Sequence, residues 1–458
     1  MSIDLNHAVT ARSDAGAHLH PYTNLAAMAE SDPLVVVRGD GIHVVDDQGR
    51  RYIEGMAGLW CASLGFSHPR LAAAGAEALR TLPYYHTFNQ RTNPAVVALA
   101  ERLLGLAPVP MARVFFANSG SEANDTAVKL VWYYHNAIGQ RSKKKIIARR
   151  RAYHGVTVAA ASLGGLSSNH DDFDLPLDRF LHVDCPHHWR NAEPGESEEG
   201  YATRLAAQLE QLILAEGPET VAAFIAEPVM GAGGVIVPPR TYFEKVQAVL
   251  KKYDVLLIAD EVICGFGRTG AMFGCTTFGL KPDILTCAKQ LSSGYVPISA
   301  VMVNDRVWQA VSANSGRHGT FGHGYTYSGH PVAAAVALET LKVYAEDEIV
   351  AHVQALAPRF QAGLRRQGER ACVGEARGVG LIGALELVAD KAARTPFDAA
   401  QKAGARVAQL ALEEGLVVRA MGDTVALCPP LIITAEELDE LFARLSRALD
   451  RFEAGLKR

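Results

Sequence analysis

Two largely apolar segments, each ending in an ionisable residue, constrain the fold of this chain more than any other feature. The first, Val255–Ala259, ends at Asp260, and the second, Ile284–Ala288, ends at Lys289. Such segments predict strands that are buried on both faces, as in a parallel sheet covered by helices. Because the strands of such a sheet end at the same edge, we expect the carboxylate and the amine to lie close together.

An aspartate and a lysine at one sheet edge suit the chemistry of pyridoxal 5'-phosphate. The lysine amine condenses with the aldehyde of this cofactor. The carboxylate keeps the pyridine nitrogen protonated, so the ring can accept electrons from a substrate carbon. Either segment alone is equally typical of an ordinary core strand, but the two together favour this cofactor.

Three further segments predict functional groups at the same edge. The strand Arg113–Asn118 runs into Ser119-Gly120-Ser121, which has the small polar residues of a helix N-terminus. Free backbone N–H groups and the helix dipole make such an end a phosphate site, although an ordinary capped helix has the same sequence. Tyr153 offers a ring that could stack on a flat heterocycle. The strand Val221–Ala226 ends at Glu227.

Taken in chain order, these motifs show that the chain resembles the class III, fold-type I, pyridoxal phosphate-dependent aminotransferases of the omega (amine:pyruvate) group. The resemblance extends from about Tyr22 onward. It is carried by Asn118–Asp125, Tyr153–Gly155, Glu227–Val229, Asp260–Gly270, Cys287–Gln290 and His323–Pro331.

The resemblance implies an α/β fold with a mostly parallel seven-stranded sheet in a large domain. A small α+β domain would be built from both termini. We expect residues 1–62 to form an N-terminal segment that joins the small domain. Residues 63–330 would form the large cofactor-binding domain, and residues 331–458 the C-terminal small domain.

The resemblance also implies roles for individual residues. Lys289 and Asp260 would be catalytic. The cofactor would contact Ser119, Gly120, Ser121, Tyr153, His154, Glu227, Asp260, Val262, Lys289 and Thr326, the last reaching it from the partner subunit. The substrate pocket would comprise Tyr22, Trp60, Phe88, Tyr153, Arg419 and the partner's Tyr325.

The implied activity is transfer of an amino group from a primary amine or omega-amino acid to a keto acid, with pyruvate as acceptor, by a ping-pong mechanism. Arg419 would pair with the acceptor carboxylate, since a guanidinium binds a carboxylate in a bidentate manner. Alternatives within the fold are a β-alanine, 4-aminobutyrate or diamine transaminase and, more remotely, an aminomutase or a decarboxylase.

Composition agrees with a large enzyme. The chain has 458 residues, of which 49% are hydrophobic, so it can bury an extensive core. Its formal net charge of −4 gives no reason to expect nucleic acid or membrane binding. Seven scattered cysteines and the absence of signal-peptide features predict a cytoplasmic protein. The resemblance, and not the composition, further implies a homodimer with shared active sites, and such dimers could pair into a tetramer.

Two patterns suggest other functions. Gly265–Gly270 matches a dinucleotide-binding fingerprint and is the sole basis for a nucleotide-dependent oxidoreductase. However, no acidic residue follows at the required distance, so we expect a loop. His187 and His188 have no second ligand pair at zinc-like spacing, so we expect surface histidines and no metal site.

The remaining pattern predicts local structure. A strand from Val35, a turn at residues 47–49 and a pairing strand are expected near the N-terminus. Gly378–Leu387 and Leu416–Arg419 read as single strands, and a capped helix is expected from Thr434 to about Leu456. The basic runs at residues 143–145 and 149–151 are most simply the solvated ends of a strand, although one arginine could face a phosphate or a partner subunit.

Overall fold

The computed structural model describes residues 16–28 and 33–456, so the segment before Ala17, which the sequence suggests is loose and polar, lies almost wholly outside the described residues. The strands are β1 (Val36–Asp40), β2 (His43–Asp46), β3 (Arg51–Glu54), β4 (Arg113–Ala117), β5 (Lys145–Arg149), β6 (Phe180–Val183), β7 (Val221–Ala226), β8 (Leu256–Asp260), β9 (Ile284–Cys287), β10 (Ser299–Val303), β11 (Val373–Val379), β12 (Ile382–Leu387), β13 (Leu416–Val417), β14 (Arg419–Met421) and β15 (Thr424–Leu427).

The helices connect and cover these strands. They are α1 (Ala57–Trp60), α2 (Pro69–Thr81), α3 (Pro94–Leu106), α4 (Gly120–Ala137), α5 (Val158–Leu163), α6 (His188–Asn191), α7 (Glu198–Glu216), α8 (Tyr242–Lys252), α9 (Gly274–Phe278), α10 (Asp305–His318), α11 (Pro331–Glu346), α12 (Ile349–Gly368), α13 (Ala403–Glu413) and α14 (Ala435–Leu456). In the part of the chain described above, none of these helices has the length and apolar composition needed to cross a membrane.

The central sheet has seven strands in the order β4-β10-β9-β8-β7-β5-β6. The strands β9, β8, β7, β5 and β6 pair in parallel, whereas β10 runs antiparallel to both β9 and β4. Because β10 is antiparallel to both of these neighbours, β4 and β9 run in the same direction. The predicted mostly parallel seven-stranded sheet is therefore confirmed, and five strands that precede site residues end at the same edge.

The central strands β7, β8 and β9 are largely apolar because both faces of the sheet are covered there. Every residue of β7, β8 and β9 is buried. The helix α4 packs against one face, where its apolar residues meet those of the central strands. The core on the other face is larger and includes α7, α8 and α11. Burial on both faces explains why these segments are continuous apolar runs and not alternating ones.

Two smaller four-stranded sheets flank the central one, with the orders β1-β2-β3-β13 and β11-β12-β15-β14. The N-terminal strand β3 pairs in parallel with β13, so residues near both ends of the chain share one sheet. Ile53 is the partner of Leu416 in that pairing. The proposed boundaries at residues 62 and 330 remain predictions.

Three strand predictions were wrong at glycines or short breaks. The first N-terminal strand is in fact the hairpin β1–β2, which turns at Gly41 with a φ of 56°. The segment from Gly378 to Leu387 contains the end of β11, a turn at Gly380 and β12. Gly380 has a φ of 57°, and a Cβ there would lie 2.4 Å from the carbonyl oxygen of Arg268, so only glycine fits. Leu416–Arg419 divides between β13 and β14, which belong to different sheets.

The C-terminal helix begins where the sequence predicts. The Thr434 hydroxyl accepts a hydrogen bond from the backbone N–H of Glu437, and the Glu437 carboxylate accepts one from the backbone N–H of Thr434. This reciprocal pair satisfies two N–H groups that the helix itself leaves without partners. The predicted capping motif is therefore confirmed.

The basic runs around β5 are not simply solvated strand ends. Lys143 is buried, and its ammonium group donates to the carbonyl oxygens of Tyr253 and Asp254. Arg149 is fully buried, and its guanidinium donates to the Glu227 carbonyl oxygen over 2.6 Å. Backbone carbonyls of neighbouring segments replace water as acceptors for Lys143 and for one nitrogen of Arg149, whereas Nε and Nη1 of Arg149 have no partner among the described residues.

Candidate active site

A pocket opens at the carboxyl edge of the central sheet. Its lining comes from the N-terminus of α4, the segment after β5 and the ends of β7, β8 and β9. The lining residues are Gly120, Ser121, Asn124, Tyr153, His154, Gly155, Glu227, Asp260, Val262, Ile263 and Lys289. The structure thus brings together most of the residues that the sequence predicts for the cofactor site.

Asp260 is a buried carboxylate that accepts hydrogen bonds from three sides. Its Oδ2 atom lies 2.7 Å from His154 Nδ1 and 2.8 Å from Asn124 Nδ2. Its Oδ1 atom accepts from the backbone N–H of Val262 over 3.1 Å. Donors on both oxygens stabilise a charged carboxylate and fix its orientation.

The N-terminus of α4 lies beside this carboxylate. Ser119 caps the helix, since its hydroxyl accepts from the backbone N–H of Glu122. The next two residues, Gly120 and Ser121, line the pocket, and the backbone N–H groups of a first helical turn have no partner within the helix. A Cβ on Gly120 would lie 3.0 Å from Val262, so glycine permits this close packing. The helix end therefore offers donors and a positive dipole to an anion.

Lys289 follows β9 with a left-handed backbone, at a φ of 46°. It opens a short 3₁₀ turn, Lys289–Ser292. The side chain of the next residue, Gln290, is buried and donates to the carbonyl oxygens of Ile263 and Gly265. The buried and hydrogen-bonded side chain of Gln290 thus holds Lys289 in this backbone conformation, which is strained for a lysine.

Glu227 is buried at the pocket wall, and its two carboxylate oxygens accept from the backbone N–H groups of Tyr153 and Gly231. Burial raises the pKa of this carboxyl, and the nearby Asp260 adds to the effect, whereas His154 and Arg149 oppose it. Glu227 therefore holds the loop that carries Tyr153 in place.

Three of the predicted substrate residues lie near one another. Burial raises the pKa of the Tyr153 hydroxyl, and the nearby Tyr22 hydroxyl raises it further. Arg419 lies near both tyrosines, and burial lowers the pKa of its guanidinium. Tyr22 is itself 63% exposed, and its hydroxyl donates to the buried Asn169.

Trp60 does not line this cavity in its own chain: its side chain is 2% exposed and packs in an apolar cluster with Ile263 and Met56. Its place in the substrate pocket stays a prediction. It ends a tight turn in which Ala57 and Trp60 both have positive φ. The buried Glu54 carboxylate accepts from the backbone N–H of Met56 over 2.9 Å and so supports this turn. Burial raises the pKa of Glu54 to about 7.

The other predicted residues lie outside the pocket of their own chain. Phe88 and Thr326 are exposed, and the Thr326 carbonyl oxygen accepts from the Tyr84 hydroxyl. The Tyr325 hydroxyl contacts the Glu122 carbonyl oxygen at 3.2 Å. Contributions from Thr326 and Tyr325 to a partner's site stay predictions.

His187 is not a surface histidine. It is buried, and its Nε2 atom lies 2.8 Å from a carboxylate oxygen of Glu375. Among the described residues, His187, Glu375 and Glu386 are close enough for their donor atoms to surround one ion. Arg377, however, lies 2.7 Å and 2.8 Å from the two carboxylates, so a cation is already present between them. These four side chains form an ion-pair network that joins β11 and β12 to the segment after β6.

The class-III aminotransferase family model matches residues 26–449. The chain belongs to the class-III aminotransferase family. It is 52% identical to gamma aminobutyrate transaminase 1, mitochondrial, of Solanum lycopersicum. The match extends over 436 residues and covers 95% of this chain and 85% of that protein. The solved structure of the omega transaminase of Pseudomonas jessenii in complex with PMP is 55% identical, with a TM-score of 0.96 over 97% of this chain and 98% of that one. A thermostable omega transaminase variant with a tryptophan, a phenylalanine and an arginine replaced, engineered for asymmetric synthesis of enantiopure bulky amines, is also 55% identical, with a TM-score of 0.96 over 97% of this chain and 99% of that one.

The aminotransferase uses pyridoxal 5'-phosphate, of which PMP is the aminated form. The pocket fits this cofactor in its donor set: a held carboxylate, a lysine and a helix N-terminus line it together. In addition, the buried Nε2 atom of His154 has no hydrogen-bond partner among the described residues. When bound, the cofactor ring withdraws electrons from a substrate carbon.

Asn124 and Thr286 contact the site although no sequence motif predicts a role for them there. Asn124 lies in the second turn of α4 and is 1% exposed. A buried asparagine inside a helix is itself a signal, because its side chain needs partners that the helix does not supply. Thr286 gives no such signal within an apolar strand.

Proposed function

We propose that this aminotransferase moves the amino group of a primary amine to a keto acid, with pyruvate as acceptor, in two half-reactions. The observation that carries the proposal is the environment of Arg419. Its guanidinium is partly buried beside Tyr153 and Tyr22, and in the described part of the chain no acidic side chain forms an ion pair with it. A keto acid brings the missing carboxylate, whereas an apolar amine can pack against the aromatic rings.

The engineered relative supports this assignment of residues. Its replaced tryptophan, phenylalanine and arginine have the same spacing as Trp60, Phe88 and Arg419 in this chain. The replacement in that protein was made for bulky amines. We infer that the same three positions limit the size of the amine here.

In this mechanism the Lys289 amine would act as base and then as acid, taking a proton from the substrate carbon and returning it without leaving the site. Asp260 would be the carboxylate that keeps the ring nitrogen of the cofactor protonated. The N–H groups at the start of α4, with Ser121, would bind the phosphate. Tyr153 and Val262 would pack against the cofactor ring.

The curated relatives favour a second candidate, a 4-aminobutyrate transaminase. In that case Arg419 would pair with the donor carboxylate as well as with the acceptor carboxylate. β-Alanine would react by the same route, since it also has a carboxylate and a terminal amine.

Single-turnover half-reactions of the purified holoenzyme distinguish the two candidates. We expect 1-phenylethylamine to convert the enzyme to its aminated form, and pyruvate to convert it back. If only 4-aminobutyrate and β-alanine react, the amine:pyruvate proposal is wrong and the second candidate replaces it. The visible absorbance of the cofactor reports each half-reaction directly.

We further propose a homodimer in which Thr326 and Tyr325 complete the partner's site, since Thr326 is exposed and separate from the pocket of its own chain. We also propose a cytoplasmic location, which the seven unpaired cysteines support. The similar plant protein is by contrast mitochondrial by its name.

A further inference from the structure

Asn124 connects the three motifs of the pocket. It belongs to α4, whose N-terminus is the expected phosphate site, and its side chain reaches Asp260 at the end of β8. It also contacts Thr286 on β9, three residues before Lys289. Thr286 is the cross-strand partner of Asp260 in the β8–β9 pairing. One buried amide thus links the helix, the carboxylate strand and the lysine strand.

The orientation of this amide follows from its partners. The Thr286 hydroxyl donates to Asn124 Oδ1 over 2.9 Å. The amide nitrogen then donates to Asp260 Oδ2 over 2.8 Å and to the His154 carbonyl oxygen over 2.7 Å. The reverse orientation would place the amide oxygen against two other oxygens and leave the hydroxyl facing an NH₂ group. All of these side chains are buried, so no water replaces a lost partner.

We propose that Asn124, oriented by Thr286, is a positioning residue that fixes the Asp260 carboxylate against the cofactor ring. This inference rests on the proposed role of Asp260. Asn124 does not contact the reacting atoms. It supplies one of the two donors on Oδ2, so the carboxylate cannot rotate away from the pocket and its charged form keeps its hydrogen bonds.

Thr286 provides the cleaner test, because Thr286→Val removes only the hydroxyl and keeps the shape of the side chain. We expect Thr286→Val to slow the amine half-reaction by ~3–10-fold, and Asn124→Ala by at least ~10-fold, which corresponds to one buried hydrogen bond to a charged group. Thr286→Ser keeps the hydroxyl and should restore most of the rate. Since Thr286 acts through Asn124, the double variant should be no slower than Asn124→Ala alone.

Two readouts besides the rate separate positioning from general destabilisation. The first is the dissociation constant of pyridoxal phosphate from the apoenzyme, measured by fluorescence titration, which we expect to rise in Thr286→Val and Asn124→Ala. The second is the pH midpoint of the visible cofactor band, which we expect to shift in the same two variants. Thr340→Val is the matched control, because the equally buried Thr340 hydroxyl donates, among the described residues, only to the Val336 carbonyl oxygen of its own helix.

The outcomes are distinguishable from a failure of the proposed function. If Asp260→Asn, measured in parallel, keeps a normal rate, the role of Asp260 is wrong. If Asp260→Asn is slow but Thr286→Val matches Thr340→Val in rate, affinity and pH midpoint, the positioning role of Asn124 is wrong. Additive losses in the double variant would also overturn it. Should Asn124→Ala fail to fold, Thr286→Val alone decides.

Discussion

Replacing Arg419 tests the substrate assignment most directly. Arg419 begins β14, where its backbone pairs with Ala426, so removing its side chain leaves the strand pairing intact. Its guanidinium is partly buried, which lowers its pKa, and it forms no ion pair with the described acidic residues. A desolvated bidentate pair with a substrate carboxylate is worth about 3 kcal/mol, which is more than an exposed pair provides.

This energy predicts the size of the effect. About 3 kcal/mol corresponds to a ~10²-fold loss in kcat/KM. We therefore expect Arg419→Ala to lower kcat/KM for pyruvate by ~10²-fold, mainly through KM. Propanal and 1-phenylethylamine carry no carboxylate, so their half-reactions should change by far less. In the variant, an amine no longer has to displace the guanidinium, so it could even react faster.

The assay follows each half-reaction in a single turnover by the visible band of the cofactor, because this removes the coupling between donor and acceptor in a ping-pong cycle. Arg419→Lys is the matched control: it keeps the charge but loses the planar two-point contact, so an intermediate loss is expected. Equal losses for pyruvate and propanal would refute the reasoning, since the guanidinium would then act on something other than the carboxylate.

Four other changes test the site and its surroundings. Lys289→Ala should abolish turnover while the fold persists, and borohydride reduction of the unmodified enzyme followed by peptide mapping should label Lys289 and no other lysine. Asp260→Asn should still bind cofactor but react at least ~10²-fold more slowly, and a near-normal kcat would remove it from its role. Glu54→Gln should remove a pH dependence of the free energy of unfolding. Burial raises the pKa of Glu54 from 4.5 to about 7, so the parent protein loses up to about 3 kcal/mol of stability as pH rises through that range. Urea titrations at pH 5 and pH 8 should therefore show that the variant becomes more stable relative to the parent at the higher pH. Thr326→Ala should weaken cofactor binding. Mixing Thr326→Ala chains with Lys289→Ala chains should give hybrid dimers whose sites differ in activity from those of either variant. An active protein that is monomeric by light scattering would contradict a shared site.

The sequence by itself determined the family, the cofactor and the edge of the sheet at which the cofactor-binding residues lie. Asp260, Lys289 and the start of α4 each follow an apolar run that is typical of a strand in a buried sheet. Parallel strands end at the same edge of a sheet, so the shared direction of these strands was enough to bring the groups to one edge. The capping motif at Thr434 was equally local, because its partners are three residues apart.

Only the tertiary structure decided which polar groups lie inside and what they contact. Arg149 and His187 looked like surface residues, yet carbonyls and carboxylates from distant segments pair with them in the interior. Thr286 looked like part of a plain strand until β9 placed its hydroxyl on Asn124. The physical reason is that hydrophobic periodicity reports the average burial of a segment, whereas a buried polar group depends on individual partners that can be more than 100 residues away.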